Sequence, residues 1–384
     1  MPRNLVTDLL GAGRLAADAT LGVTGVVESM HGTIARGSPI AGLVYRSIRG
    51  VTGLIGSGAD LAMSVLAPKA VDEPSSPRRE TLLAILNGVY GDHLAATGNP
   101  LAIPMQLRRD TASLANAIPR ATGRVVVLVH GLCMADLHWD KGEKPLSRVL
   151  ARDLGYTSVK LHYNTGLHVS SNGREFAALL EELVAAWPVP VTELAIVGHS
   201  MGGLIARSAA YYGREAGHRW TRLLRSMVFL GTPHHGSPLE RGGSIADLLL
   251  SLSPYSAPFA RLAGARSAGI RDLRHGNLLD EDWQGRAQGH LRDHRHPVPL
   301  PEGVRCYAIA AVKSREPGSL QSRLLGDGLV PVKSALGQHR SPRFALAIPE
   351  SQQWVGHGLG HLELMSNPLV HRRVSDWIGA KTRS

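Results

Sequence analysis

The sequence predicts an α/β architecture, a mostly parallel central sheet with helices on both faces. Three observations carry this. Val125-Val126-Val127-Leu128-Val129 is an unbroken aliphatic run, the pattern of a strand covered on both sides. From Arg124 onward, such runs alternate with helix-like segments across short connections. Gly198-His199-Ser200-Met201-Gly202 joins the apolar run at 193–197 to the helix-like segment at 203–212. A serine between glycines then sits on a sharp strand-to-helix turn, where its hydroxyl projects freely.

The elements follow in chain order. Residues 1–79 read as a Gly/Ala-rich helical extension and linker. Val23, Val26, Val27, Met30 and Ile34 recur at helical spacing, as do Ile40, Leu43, Val44, Ile48, Val51 and Ile55. These apolar faces either pack on the rest of the chain or on each other, or they lie on a membrane surface or self-associate. Three prolines and two serines among charges mark 68–79 as a linker with no core element. A helix is expected from Glu80 to Ala96, ended by Asn99-Pro100, and then an alternating strand from Leu101 to Leu107.

Residues 80–384 are expected to form the main domain, with 237–301 as an insertion. Its strands are read at 125–129, 159–163, 193–197, 226–230, 304–310 and 344–348. A helix capped by Asn172 runs to Trp187, and a closing helix spans Pro368 to Ile378. No internal repeat is visible.

Composition bounds the function. The chain has 384 residues, 43% of them hydrophobic, enough for a substantial core. Net charge is +11, but the basic residues are not clustered among aromatics, which make up only 5%. That argues against nucleic acid as a partner and reads as solvation, with weak attraction to anionic membranes. Cys133 and Cys306 lie in or beside apolar segments and are expected as buried free thiols. Asp8, Arg14 and Asp18 interrupt any signal-peptide core, and no uncharged apolar run reaches membrane-spanning length. The expected setting is cytoplasmic, with peripheral membrane contact through the N-terminal region or the insertion as an open alternative.

A serine hydroxyl needs a base held by a third group. In this architecture the chain order is serine, acid, histidine. Downstream of Ser200 the best acid is Asp327, in a glycine-flanked turn after a strand. Asp272, Asp280 and Asp282 are rivals inside the insertion. The best base is His361, between the last strand and the last helix. His357 is expected exposed or supporting, and His371 on the surface of the final helix. An oxyanion hole requires two backbone amides. Met201, at a helix N-terminus, offers one. Leu132, after His130-Gly131, offers the other. Gly131, Gly198 and Gly202 permit close approach around the serine, and His130 and His199 flank the two loops. No cofactor or metal is expected. His357 and His361 are four apart, but no third ligand stands out and no H-E-x-x-H occurs.

Together, Val129-His130-Gly131-Leu132, Gly198-His199-Ser200-Met201-Gly202-Gly203, Leu230-Gly231-Thr232-Pro233-His234-His235-Gly236, Gly326-Asp327-Gly328-Leu329-Val330-Pro331 and His361-Leu362 resemble the α/β-hydrolase fold, and within it the bacterial lipases and esterases. The Gly-Thr-Pro-His-x-Gly block is also similar to one in a GPI inositol-deacylase-like group. The resemblance covers about residues 100–380. It implies hydrolysis of hydrophobic acyl esters, small-molecule or lipid, through an acyl-enzyme. An acyltransferase with the same triad and a non-catalytic membrane-associated module are the alternatives. In the insertion, Ile245, Leu248, Leu249 and Leu252 form an apolar stripe, read either as a mobile lid or as a packed cap helix. The rest of the insertion, with His275, His290, His294 and His296, reads as solvated.

Overall fold

The computed structural model describes residues 2–3, 11, 13–14, 73–74, 77–109, 112–113, 120–237, 267–285, 294–314 and 326–380. The helical faces expected at 23–55, the stripe at Ile245–Leu252 and His290 lie outside the described residues. The chain divides into two units, one of residues 1–79 and 93–102, the other of 80–92 and 103–384.

In the first unit, Pro2–Arg3 pairs antiparallel with Glu73–Pro74. The Asn99 side chain organises its turn. Its Nδ2 donates to the Gly11 carbonyl at 3.0 Å, and its Oδ1 accepts from the Leu101 amide at 3.0 Å.

The second unit is built on a sheet of eight strands among the described residues. They are β1 (Gln106–Arg109), β2 (Ala112–Ser113), β3 (Arg124–Val129), β4 (Thr157–His162), β5 (Glu193–His199), β6 (Leu224–Leu230), β7 (Arg305–Val312) and β8 (Gln353–His357). Their order across the sheet is β8-β7-β6-β5-β3-β4-β1-β2. All neighbours from β8 to β4 are parallel, while β1 runs antiparallel to both β4 and β2. Val125 to Val129 are fully buried, as a central strand covered on both faces requires.

The described helices of eight or more residues are α1 (Pro77–Ala96), α2 (Leu146–Leu154), α3 (Val169–Ala186), α4 (Met201–Glu215), α5 (Ala268–His275) and α6 (Pro368–Gly379). From β3 the chain crosses one way to β4 through α2. It then returns across β3 to β5 through α3, and continues in that direction through α4 to β6. Right-handed crossovers therefore put α2 on one face and α3 with α4 on the other. The direction of winding reverses between β3 and β5. A crevice opens at the carboxyl ends of two such strands, and this is where ligands bind in open α/β sheets. No described helix is long and apolar enough to cross a membrane.

Several elements differ from expectation. Helix α1 starts at Pro77, inside the stretch read as linker, because proline is well suited to a first helical turn whose N–H needs no partner. Helix α3 starts at Val169, so Asn172 is inside it. The Val169 amide is instead capped by Asp272, a carboxylate 103 residues away, at 2.9 Å. Only the end of the 101–107 alternation is a strand: Pro104 has no N–H and the Ile103 amide donates to Asn87 Oδ1 at 2.9 Å. The last strand is Gln353–His357, not 344–348. In the latter stretch the Leu346 amide bonds to Gly337 and the Ile348 amide to Leu346, so neither joins a ladder.

His371 is buried at 2% exposure, not on the surface, because its ring reaches the Met365 and Lys144 carbonyls at 2.8 and 3.1 Å. The insertion is not wholly solvated either: Ile270, Leu273, Leu278 and Leu279 belong to the core. Cys133 and Cys306 are buried free thiols, both pushed up to about 12 by burial.

Candidate active site

Ser200 follows the last residue of β5 and precedes the first of α4, at the crevice between β3 and β5. Its backbone is at φ 53°, ψ −125°, a conformation that costs a non-glycine residue about 1–3 kcal/mol. The surroundings enforce it. The Ser200 amide donates to the Leu230 carbonyl at 2.8 Å, tying the turn to the end of β6. The glycines on either side permit the crossing of chains. A Cβ at Gly202 would stand 2.3 Å from the Val129 carbonyl oxygen, and one at Gly198 would stand 2.6 Å from Gly203. Each side chain other than hydrogen would push the helix off the sheet.

Asp327 lies between Gly326 (φ 56°) and Gly328 (φ 94°), two left-handed positions that coil the loop around the carboxylate. Its Oδ1 accepts from the amides of Leu329 (2.9 Å) and Val330 (2.8 Å). Its Oδ2 lies 2.6 Å from His361 Nδ1. Burial alone would push this carboxyl up; the imidazole beside it and the two amides hold it below the usual carboxylate range. An ionised carboxylate can only accept, so the neutral imidazole of His361 has its hydrogen on Nδ1 and its lone pair on Nε2.

His361 is 5% exposed and sits just ahead of a short 3-10 turn, Leu362–Met365. A Cβ at Gly231, one residue beyond the Leu230 carbonyl that holds Ser200, would lie 3.1 Å from both Cε1 and Nδ1 of its ring. His199, the residue before the serine, donates from Nε2 to the His361 carbonyl at 3.0 Å. Three distant segments of chain thus meet at the carboxyl end of the central strands.

On the other side of the serine is the loop after β3. A Cβ at Gly131 would stand 2.9 Å from Ser200 Cβ and 3.2 Å from His199 Nδ1. The His130 ring stacks on Tyr163 at 4.5 Å, and the Tyr163 hydroxyl donates to the His130 carbonyl at 2.7 Å. Leu132 follows in the same tight turn, closed by the Met134 amide on the Gly131 carbonyl at 3.3 Å. Met201 opens α4, where helix amides have no partner four residues back. Burial pushes the His130 and His199 imidazoles down to about 3, so both are neutral.

The other sequence candidates are placed elsewhere. Asp272 caps α3 and meets His168 Nδ1 at 2.9 Å. Asp280 pairs with Arg174, and Asp282 accepts from the amides of Leu278, Leu279 and His296. His357 is exposed.

A buried charge network was not legible in the sequence. Arg108 Nη1 bridges Glu80 Oε2 (3.2 Å) and Asp136 Oδ1 (3.3 Å), and His162 Nδ1 lies 3.0 Å from the same Asp136 oxygen. Glu80, Asp136 and His162 are the one group of metal-capable side chains gathered among the described residues. The guanidinium already supplies the positive charge between the two carboxylates, so the group reads as an ion-pair network fastening α1 and β1 to β4 and the loop after β3.

Residues 177–291 match the family model of the PGAP1-like alpha/beta domain, a stretch running from α3 through the elbow into the insertion. No curated protein matches the chain. Among solved structures it is similar to the Bacillus licheniformis lipase BlEst2 in propeptide form, at 19% identity over 73% of this chain and 54% of that one, with a TM-score of 0.45. For the mature form of BlEst2 the values are 19%, 70%, 95% and 0.42. For the Pyrococcus furiosus esterase Pf2001 they are 13%, 68%, 81% and 0.42. The chain therefore spans about half the length of the first of these relatives. The reversal of winding between β3 and β5, the strained serine turn joining β5 to α4 and the matched α/β domain together give the chain an α/β-hydrolase fold.

Proposed function

We propose that the chain is a serine carboxylester hydrolase, with Ser200 as nucleophile, His361 as general base and acid, and Asp327 as the group that orients and stabilises the imidazole. The observation that carries this reading is the 2.6 Å contact between His361 Nδ1 and Asp327 Oδ2, formed beside the carboxyl end of β5, where Ser200 is held in a strained turn.

The steps follow from the tautomer. His361 Nε2 takes the Ser200 proton as Oγ attacks the ester carbonyl, and the imidazolium that forms is stabilised by the Asp327 carboxylate. The amides of Leu132 and Met201 receive the developing oxyanion, each contributing on the order of 3 kcal/mol to the transition state. His361 then returns the proton to the leaving alkoxide, and the alcohol departs. Water, deprotonated by the same imidazole, hydrolyses the acyl-serine.

The test is an ester panel of increasing acyl length, assayed with and without a lipid surface and with a competing alcohol. Turnover lost in Ser200→Ala, with the fold kept, supports the reading. Undiminished turnover in that variant contradicts it. Acyl transfer to the alcohol in preference to water would reassign the reaction while keeping the residues.

A further inference from the structure

The His234-His235 pair of the Gly-Thr-Pro-His-His-Gly block has no part in the steps above. It lines a cavity of about 260 Å³, together with Arg207, Arg295, Arg343 and Phe344. Arg207 lies on α4 seven residues past Ser200, and none of Ser200, Asp327 and His361 lines this cavity.

Arg207 is only 4% exposed. Its Nη2 donates to the Val298 carbonyl at 2.6 Å and its Nη1 to His234 Nδ1 at 3.3 Å. Both partners are neutral. Its Nε has no partner among the described residues. Asp282 exerts a favourable field on Arg207 but is engaged by three amides and the His296 ring. Buried charges are ordinarily paired, because an isolated ion in a low-dielectric interior is costly. Here a second guanidinium, Arg295, adds like charge; burial and this neighbour push Arg207 down to about 10.

His234 adds a further donor. Its Nδ1 accepts from Arg207, so its hydrogen is on Nε2, and that atom is buried with no partner among the described residues. Arg295 donates to the His234 carbonyl at 3.0 Å and packs on the Phe344 ring, 5.3 Å from its centre. Arg343, exposed, lies 5.5 Å from the same centre. The cavity wall is thus rich in N–H donors and positive charge. Its three guanidiniums come from α4 and from two separate loops.

We propose that this cavity binds a phosphoryl oxyanion. Donors arriving from several directions suit a tetrahedral group better than a planar carboxylate, which a single guanidinium fork satisfies. Three cations suit a dianion. The same chemistry is offered by free phosphate and by the phosphomonoester head group of an anionic lipid.

The experiment is calorimetric titration of the full chain with inorganic phosphate, at ionic strength held constant with chloride. In parallel, phosphatidylcholine vesicles with and without phosphatidic acid are tested for recruitment. The expected result is one saturable site, weakened about tenfold or more by Arg343→Ala, which removes only an exposed side chain, and by Arg207→Lys. Recruitment by phosphatidic acid that phosphate displaces assigns the head group. Phosphate binding without recruitment assigns the free ion. Absence of both would overturn the proposal. So would binding unchanged in the two variants, which would mark an adventitious ion only. Neither readout uses turnover, so the result stands apart from the role of Ser200.

Discussion

His199 and His361 are joined by a hydrogen bond from the His199 ring to the His361 main chain, 3.0 Å long, with the two rings 4.8 Å apart. The residue before the proposed nucleophile therefore anchors the backbone of the proposed base. Burial keeps His199 neutral, with a hydrogen on Nε2 for that carbonyl. His199→Ala is expected to lower kcat by roughly 10²-fold with little change in KM, the scale of a misplacement near 1 Å. Steady-state kinetics separate the two parameters; an unchanged kcat would remove His199 from the mechanism.

Asp327 fixes the His361 tautomer through one oxygen while two amides hold the other. Asp327→Asn keeps the shape but can present an N–H to Nδ1, turning the imidazole to the wrong tautomer. The expected loss in kcat is roughly 10⁴-fold. Circular dichroism and melting confirm that the variant is folded before its rate is compared.

Gly202 sets the spacing of α4 against β3. In Gly202→Ala the new methyl would meet the Val129 and His130 carbonyl oxygens at 2.3 and 2.6 Å, both main-chain atoms with no freedom to turn aside. A cost of about 1–3 kcal/mol in stability is expected, together with loss of activity as Ser200 shifts. Urea unfolding measures the first and ester turnover the second.

Buried histidines make the protein acid-sensitive. His130 and His199 are held at about 3 and His138 at about 4, all chiefly by burial, against about 6.5 in an unfolded chain. The unfolded state takes up protons that the native state refuses. Their stabilising effect is whole above about pH 6.5 and is lost as pH falls towards 3–4, at about 1.4 kcal/mol per histidine per pH unit. Urea midpoints at pH 7, 6 and 5 should fall accordingly, and His138→Gln should flatten the slope by one histidine's share.

The parts of the fold legible in the sequence are those in which local pattern and tertiary role agree. The aliphatic run at 125–129 can only be a doubly covered strand, and the glycine-serine-glycine turn declares itself by the crowding it must relieve. The pairing of Asp327 with His361 was reachable because chain order and loop position narrow the choice. Elements governed by distant partners were not. Asn172 has the chemistry of a cap, yet Asp272 caps α3 from across the chain. The edge strand β8 has little apolar signal and, among the described residues, a strand on one side only, whereas the apolar stretch at 344–348 is a loop. Arg108, Glu80, Asp136 and His162 lie far apart in sequence with no shared motif, and only the packing of α1, β1 and β4 brings them together.

The central claim is that Ser200 is a nucleophile made reactive by His361, and a fluorophosphonate probe tests it directly. Intact-mass and peptide analysis should find one adduct, on Ser200, absent in Ser200→Ala and formed far more slowly in His361→Ala. An adduct on another residue, or labelling of the wild-type chain that is no faster than that of His361→Ala, would contradict the account.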